Sequence, residues 1–148
     1  MTLDPRLVRA EKAMRHGFAC VIDSDGDAMV AAFKGLSEEE TILAVDLARR
    51  VVDEALRDSE PEGWTDEDFA GLGEDIAESE SWAGLRPSEA ATYLRELHRG
   101  QSPTTDQPDT AFLAIICGGY LVSAVGPEHR GWSDYLDDLL DRIVPPES

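Results

Sequence analysis

An uncharged run in the last third of the chain most constrains how this protein can fold. The run extends from Thr110 to Pro127, in a chain of which 30% of the residues are charged. Its central part, TAFLAIICGGYLVSAV, would form a helix of roughly 24 Å, which is shorter than the ~30 Å of hydrocarbon in a bilayer. We therefore predict a buried core segment around which the other elements pack.

The Gly118-Gly119 pair inside this run leaves two structures open. Two glycines between apolar runs are a hairpin signal, which would place strands at 112–117 and 120–125. An isolated hairpin would leave exposed strand edges, and the segments around the run have helical spacing. A single helix capped by Asp109 is therefore favoured.

The clearest helix start is SEEE, where Ser37 and Glu40 have the spacing of a capping box. The helix that it opens extends to about Arg57, and its predicted buried stripe consists of Ile42, Leu43, Leu47, Val51, Ala55 and Leu56. Opposite charges four residues apart on its other face contribute about 0.2–0.5 kcal/mol per pair. Burial of the apolar stripe is therefore expected to supply most of its stability.

Five further segments have helical spacing. They are 4–22, interrupted or weakened near Gly17; a short helix from the cap Asp27 to Lys34; a weak helix that begins at Thr65 and contains Gly71 and Gly73; a helix from Pro87 or Ser88 to Gly100; and the amphipathic segment 132–143, which ends by Pro145. Residues 101–108 are polar and without periodicity, and are therefore expected to form a connection. The sequence thus predicts an all-α fold, a single compact domain over 1–148 with six or seven helices around one uncharged central helix.

The net charge is −18, and eleven arginines outnumber two lysines. Such acidity argues against nucleic acid and against anionic membranes as partners, because both are bound through basic side chains. A basic protein is the more natural partner, although a genomic or habitat bias would also explain the composition. The N-terminus has no apolar run of the secretory type, and Cys20 and Cys117 are far apart, so a cytoplasmic location with free thiols is expected.

No motif in the sequence carries recognisable chemistry. DSDGD at 23–27 fails the EF-hand pattern, since Gly26 comes too early and Lys34 occupies the position of the closing glutamate. The histidines, His16, His98 and His129, have no second ligand at metal-binding spacing. We therefore predict no catalytic, cofactor-binding or metal-binding residue.

The acidic segment 58–82 is the strongest candidate for a function. It carries ten acidic and no basic side chains, and large aromatic residues of the kind that anchor interfaces are interleaved with them. The predicted partner-binding residues are Trp64, Asp66, Glu67, Asp68, Phe69, Glu74, Asp75, Glu78 and Trp82. The alternative is a solvated face that two tryptophans attach to the core.

These observations favour a non-catalytic protein-binding or regulatory module with an acidic, aromatic-studded contact surface for a basic partner. One alternative is a helical metal-dependent enzyme that uses scattered histidines and carboxylates. A second is a structural homo-oligomer, with the uncharged helix or the stripe that begins at Trp132 as its interface.

Overall fold

Seven α-helices make up most of the chain that the computed structural model describes, which is residues 5–60, 62–100, 109–125 and 131–143. The helices are α1 (Pro5–Ile22), α2 (Gly26–Phe33), α3 (Glu38–Ser59), α4 (Asp66–Ser79), α5 (Pro87–His98), α6 (Asp109–Val125) and α7 (Trp132–Ile143). A 3-10 turn at Ser81–Ala83 follows α4. The predicted all-α fold is confirmed, and these ranges contain no strand. The connection at 101–108, His129 and the stop at Pro145 lie outside them.

Helix α6 occupies the centre of the arrangement, where it contacts α1, α3, α5 and α7. The uncharged run thus forms one helix, as the favoured interpretation predicted. Its glycine pair does not form a turn but lies where α6 contacts α1. A β-carbon on Gly118 would lie 2.6 Å from the Phe18 ring, and one on Gly119 would lie 2.8 Å from the β-carbon of Val21. The absence of side chains at these two positions lets α1 approach α6 closely.

The predicted helix starts are confirmed at two of the capping sites. The Glu40 amide donates to Ser37 Oγ over 3.1 Å, and the Ser37 amide donates to Glu40 Oε1 over 2.9 Å. The same reciprocal pair joins Thr65 and Asp68 at the start of α4, at 3.1 and 3.0 Å. Helix α4 therefore begins where its sequence predicts, in spite of the two glycines inside it.

Three local predictions were wrong. Asp25 caps α2 in place of Asp27, and its Oδ1 accepts from the Ala28 amide over 3.1 Å. Ile42 is 62% exposed and lies outside the buried stripe of α3, whereas Leu47, Val51, Ala55 and Leu56 are buried as predicted. Helix α1 continues through Gly17, so the expected interruption is absent.

Helix α7 packs against α3 and α6 and closes the core on that side. Leu136, Leu139 and Leu140 are buried, while Trp132, Tyr135 and Ile143 pack at the border of the core. The predicted apolar face is confirmed. Both segments considered above as homo-oligomer interfaces therefore pack within one chain. Among the described helices, none combines the length and the apolar character needed to cross a membrane.

Candidate functional site

The aromatic residues at the start of the acidic segment belong to the core or to its border. Phe69 is 1% exposed, so it cannot contact a partner and is not part of the surface. Trp64 is half-buried, stacks on Phe69 with 5.1 Å between ring centroids, and donates its indole N–H to the Leu56 carbonyl over 2.7 Å. These contacts attach the segment before α4 to the end of α3. They match the alternative interpretation, in which tryptophans hold the acidic segment on the core.

Several acidic residues in the first half of the segment have partners within the chain. Asp68 holds the capping box of α4. Asp66 lies 2.8 Å from the Arg99 guanidinium, and Asp58 lies 2.9 Å from that of Arg142. Arginines that follow α5 and lie in α7 therefore offset part of the negative charge at this end of the segment.

The second half of the segment keeps its charge. Glu74, Asp75 and Glu78 are exposed on the second half of α4, and Glu67 near the start of the helix is exposed as well. The ion pairs formed among the described residues include none of these four. In the sequence, all the acidic residues of 58–82 belong to one continuous segment. The fold separates them into a partly neutralised end and an unpaired end.

Glu80 is the one acidic residue of the segment that the fold buries, and it is not among the predicted partner-binding residues. It follows α4 as the C-cap, with its amide bonded to the Ile76 carbonyl, and it is 4% exposed. Its Oε2 accepts a hydrogen bond of 2.6 Å from the Trp82 indole N–H. Burial raises the pKa of the Glu80 carboxyl, and the hydrogen bond from Trp82 opposes that change.

Trp82 also lies beside the loop that the DSDGD sequence forms. The ring packs on Gly26 so closely that a β-carbon there would be 2.7 Å from it. Trp82 lines an open groove of about 520 Å³ together with Ser24 and three acidic residues, Asp23, Asp25 and Asp27. Among the described residues, no basic side chain lines this groove. Within the described ranges, no cluster of three or more His, Cys, Asp or Glu side chains has an arrangement suited to a metal ion.

A second, smaller pocket of about 140 Å³ adjoins this groove and shares Ser24 with it. Its polar lining residues are Ser24, Ser79, Glu80, Tyr120 and Ser123. Burial, together with the nearby Asp75 and Glu80 carboxylates, raises the pKa of the Tyr120 phenol. This pocket brings α4 and α6 into one site with the loop before α2, which no sequence pattern indicates, because the contributing residues are far apart in the chain.

Among the other candidate groups for chemistry, His98 is held in contacts and the two cysteines are buried, whereas His16 is exposed. His98 Nδ1 lies 3.1 Å from Asp53 Oδ1, and its ring faces Phe69 at 5.9 Å. Cys20 and Cys117 are free and buried, and burial raises the pKa of Cys117 to about 12. A thiol that stays protonated at neutral pH is a poor nucleophile.

No protein-family model matches the chain, and the comparisons with curated proteins and with solved structures gave no match either.

Proposed function

We propose that this protein is a non-catalytic binding module whose acidic surface contacts a basic protein. The observation that carries the proposal is the set of unpaired carboxylates on the second half of α4, Glu74, Asp75 and Glu78. The three aspartates of the groove beside Trp82 contribute further negative charge. The term acidic surface denotes Glu67, Glu74, Asp75, Glu78, the groove residues Asp23, Asp25 and Asp27, and Trp82.

Charge of one sign on a surface raises the rate at which an oppositely charged partner associates. Pairing inside the chain weakens such a field, so the end of the segment that holds Asp58 and Asp66 contributes less to it. The unpaired end of α4 is therefore the better centre for a contact. The half-buried Trp82 would supply apolar area at that centre, and tryptophan is common among the residues that dominate binding energies.

Helix α4 is held in place by contacts that do not use its unpaired carboxylates. Its capping box, the Trp64–Phe69 stack and its packing on α5 fix its position. Holding like charges at Glu74 and Glu78, four residues apart, costs a helix about 0.2–0.5 kcal/mol. A charge arrangement that costs stability and that the fold does not neutralise is consistent with a role in binding.

The proposal includes a cytoplasmic location, which two free and buried thiols support. Reduced cysteines are the usual state in that compartment. The expected partner is a protein with a cluster of lysine and arginine side chains.

The test uses a labelled basic peptide, of alternating lysine and alanine, in fluorescence anisotropy at low and at high NaCl concentration. The double variant Glu74→Gln with Glu78→Gln should weaken binding and reduce its dependence on salt, because fewer charge contacts are made. The control is Glu11→Gln with Asp141→Asn, which removes the same number of charges from α1 and α7. Equal loss of affinity in both double variants would overturn the proposal, because net charge alone would then explain binding.

A further inference from the structure

We propose that the pocket around Glu80 receives the ammonium group of a lysine from the basic partner. This inference rests on the proposed function and names the side chain that the acidic surface recognises. The occupant follows from three features of the pocket: a buried carboxylate without a cation, a lining of hydroxyl groups, and a volume that fits the end of one side chain.

Glu80 supplies the charge. It is 4% exposed, and its hydrogen bond within the described residues is the one that Oε2 accepts from Trp82. No arginine, lysine or histidine of the described ranges pairs with it, although a buried carboxylate without a cation is costly. An ammonium group in the pocket would offset that cost, so its binding is favoured by a carboxylate that is already desolvated.

The hydroxyl lining supplies the remaining acceptors. Ser24, Ser79, Ser123 and Tyr120 contribute hydroxyl-bearing side chains from the loop before α2, from the end of α4 and from α6. An ammonium group has three donors that point in different directions and no acceptor. One oxygen of Glu80, with hydroxyl groups from the other elements, can accept hydrogen bonds from these three donors.

The hydrogen bond from Trp82 decides between lysine and arginine. A guanidinium is best matched by a carboxylate that offers both oxygens to its planar fork. Oε2 of Glu80 is already used by the indole N–H at 2.6 Å, which leaves Oε1 for the partner. A compact ammonium group fits a single oxygen better than the fork of an arginine does.

The size of the pocket agrees with this occupant. Its volume of about 140 Å³ equals that of roughly five water molecules at ~30 Å³ each. The adjoining groove, with Asp23, Asp25 and Asp27, is wider and more open. The chain that carries the lysine would lie along this groove, across the ring of Trp82.

The experiment is a titration of the full chain with n-butylammonium chloride, followed by the NMR signal of the Trp82 indole N–H. NaCl and n-butanol at matched concentrations are the reference solutes, and n-butylguanidinium is the competing cation. We expect a saturable shift of the indole signal with n-butylammonium and a dissociation constant at least about tenfold larger in Glu80→Gln. Glu11→Gln, which removes a charge from α1, should bind as the parent protein does.

The glutamine variant is expected to fold, because its amide oxygen still accepts from Trp82. Ser123→Leu, which fills the pocket, should abolish the shift independently of the charge. A shift that does not saturate, or that persists in both variants, would overturn the proposal. Tighter binding of n-butylguanidinium would overturn the assignment to lysine. If the peptide binds the acidic surface while the amine does not bind the pocket, this inference fails and the proposed function stands. If the amine binds and the peptide does not, the pocket is an ammonium site but the proposed function, and with it the basic partner, is overturned.

Discussion

Gly73 of α4 faces the Pro87 carbonyl of α5 so closely that a β-carbon on Gly73 would overlap with the carbonyl oxygen. Helix α4 makes its most extensive contact with α5, so this glycine sets the spacing of that helix pair. Gly71, two residues earlier, has open space around it. Gly73 is therefore needed for helix packing, whereas Gly71 is not. Helix propensity, which is equally unfavourable for both glycines, does not distinguish them.

Substitution of Gly71 by alanine is predicted to stabilise the protein. Alanine lowers the backbone entropy cost of a helical position by about 0.5–1 kcal/mol relative to glycine. For a chain of this size the melting temperature should rise by about 2–4 °C per kcal/mol. Thermal unfolding followed by circular dichroism measures the change, and an unchanged or lower melting temperature would contradict the open environment of Gly71.

Gly73→Ala is predicted to destabilise the protein, although the same helix propensity is gained. Its methyl group would have to displace the α5 backbone, and overpacking of this kind costs about 1–3 kcal/mol. Urea unfolding of the two alanine variants in parallel checks the prediction. Equal stability of the two would show that α4 and α5 are not in close contact at Gly73.

Gly118→Ala should destabilise the core contact between α6 and α1. The added methyl group meets the Phe18 ring at 2.6 Å, and we expect a loss of about 1–3 kcal/mol. The measurement is the double variant with Phe18→Leu. It should cost less than the sum of the two single changes, because the smaller side chain makes room. Strict additivity would argue against the contact.

Glu80→Gln should stabilise the protein more at high pH than at low pH. Burial raises the pKa of Glu80 above its ordinary value of 4.5 in the folded protein, so its favourable contribution is complete below that value and is lost as pH rises through the raised pKa. Glutamine stays neutral. The unfolding free energy of the variant minus that of the parent should therefore increase between about pH 4 and pH 8, and a constant difference would contradict the prediction.

Glu40→Gln should show the opposite pH dependence. The hydrogen bond from the Ser37 backbone amide, with Arg9 and Arg6 nearby, lowers the pKa of Glu40 below 4.5, and Oε2 lies 2.6 Å from Arg9 Nε. Its contribution is present above the ordinary pKa and is lost as pH falls through the lowered one. The variant should be less stable than the parent at neutral pH, and this difference should shrink in acid. Urea unfolding at several pH values gives the unfolding free energy of the Glu40→Gln and Glu80→Gln variants, each compared with the parent protein.

Glu78→Lys should raise stability while it weakens binding of the basic peptide. The change replaces two like charges four residues apart with an opposite-charge pair between Glu74 and the introduced lysine, a gain of about 0.2–0.5 kcal/mol for each effect. The charge of the acidic surface falls at the same time. Thermal unfolding and peptide anisotropy on one sample measure both effects, and a variant that binds the peptide as well as the parent would count against the acidic surface.

The sequence by itself determined the helices, because their signals are local. Ser37 with Glu40 marks the start of α3 through hydrogen bonds that span three residues, and Thr65 marks the start of α4. The uncharged run before Pro127 indicated the centre of the fold, since only such a segment is buried at low cost. The periodicity of α7 likewise identified its buried face.

Tertiary structure alone decided what each glycine and each carboxylate does. Gly71 and Gly73 have the same helix propensity, and only the position of α5 separates them. Arg99 and Arg142 reach Asp66 and Asp58 from distant parts of the chain, while Glu80 is drawn into a pocket with residues from α6. The net charge of a segment can be counted from the sequence. The electrostatic potential at a surface and the burial of a side chain depend on distances in space, which are fixed only when the helices pack.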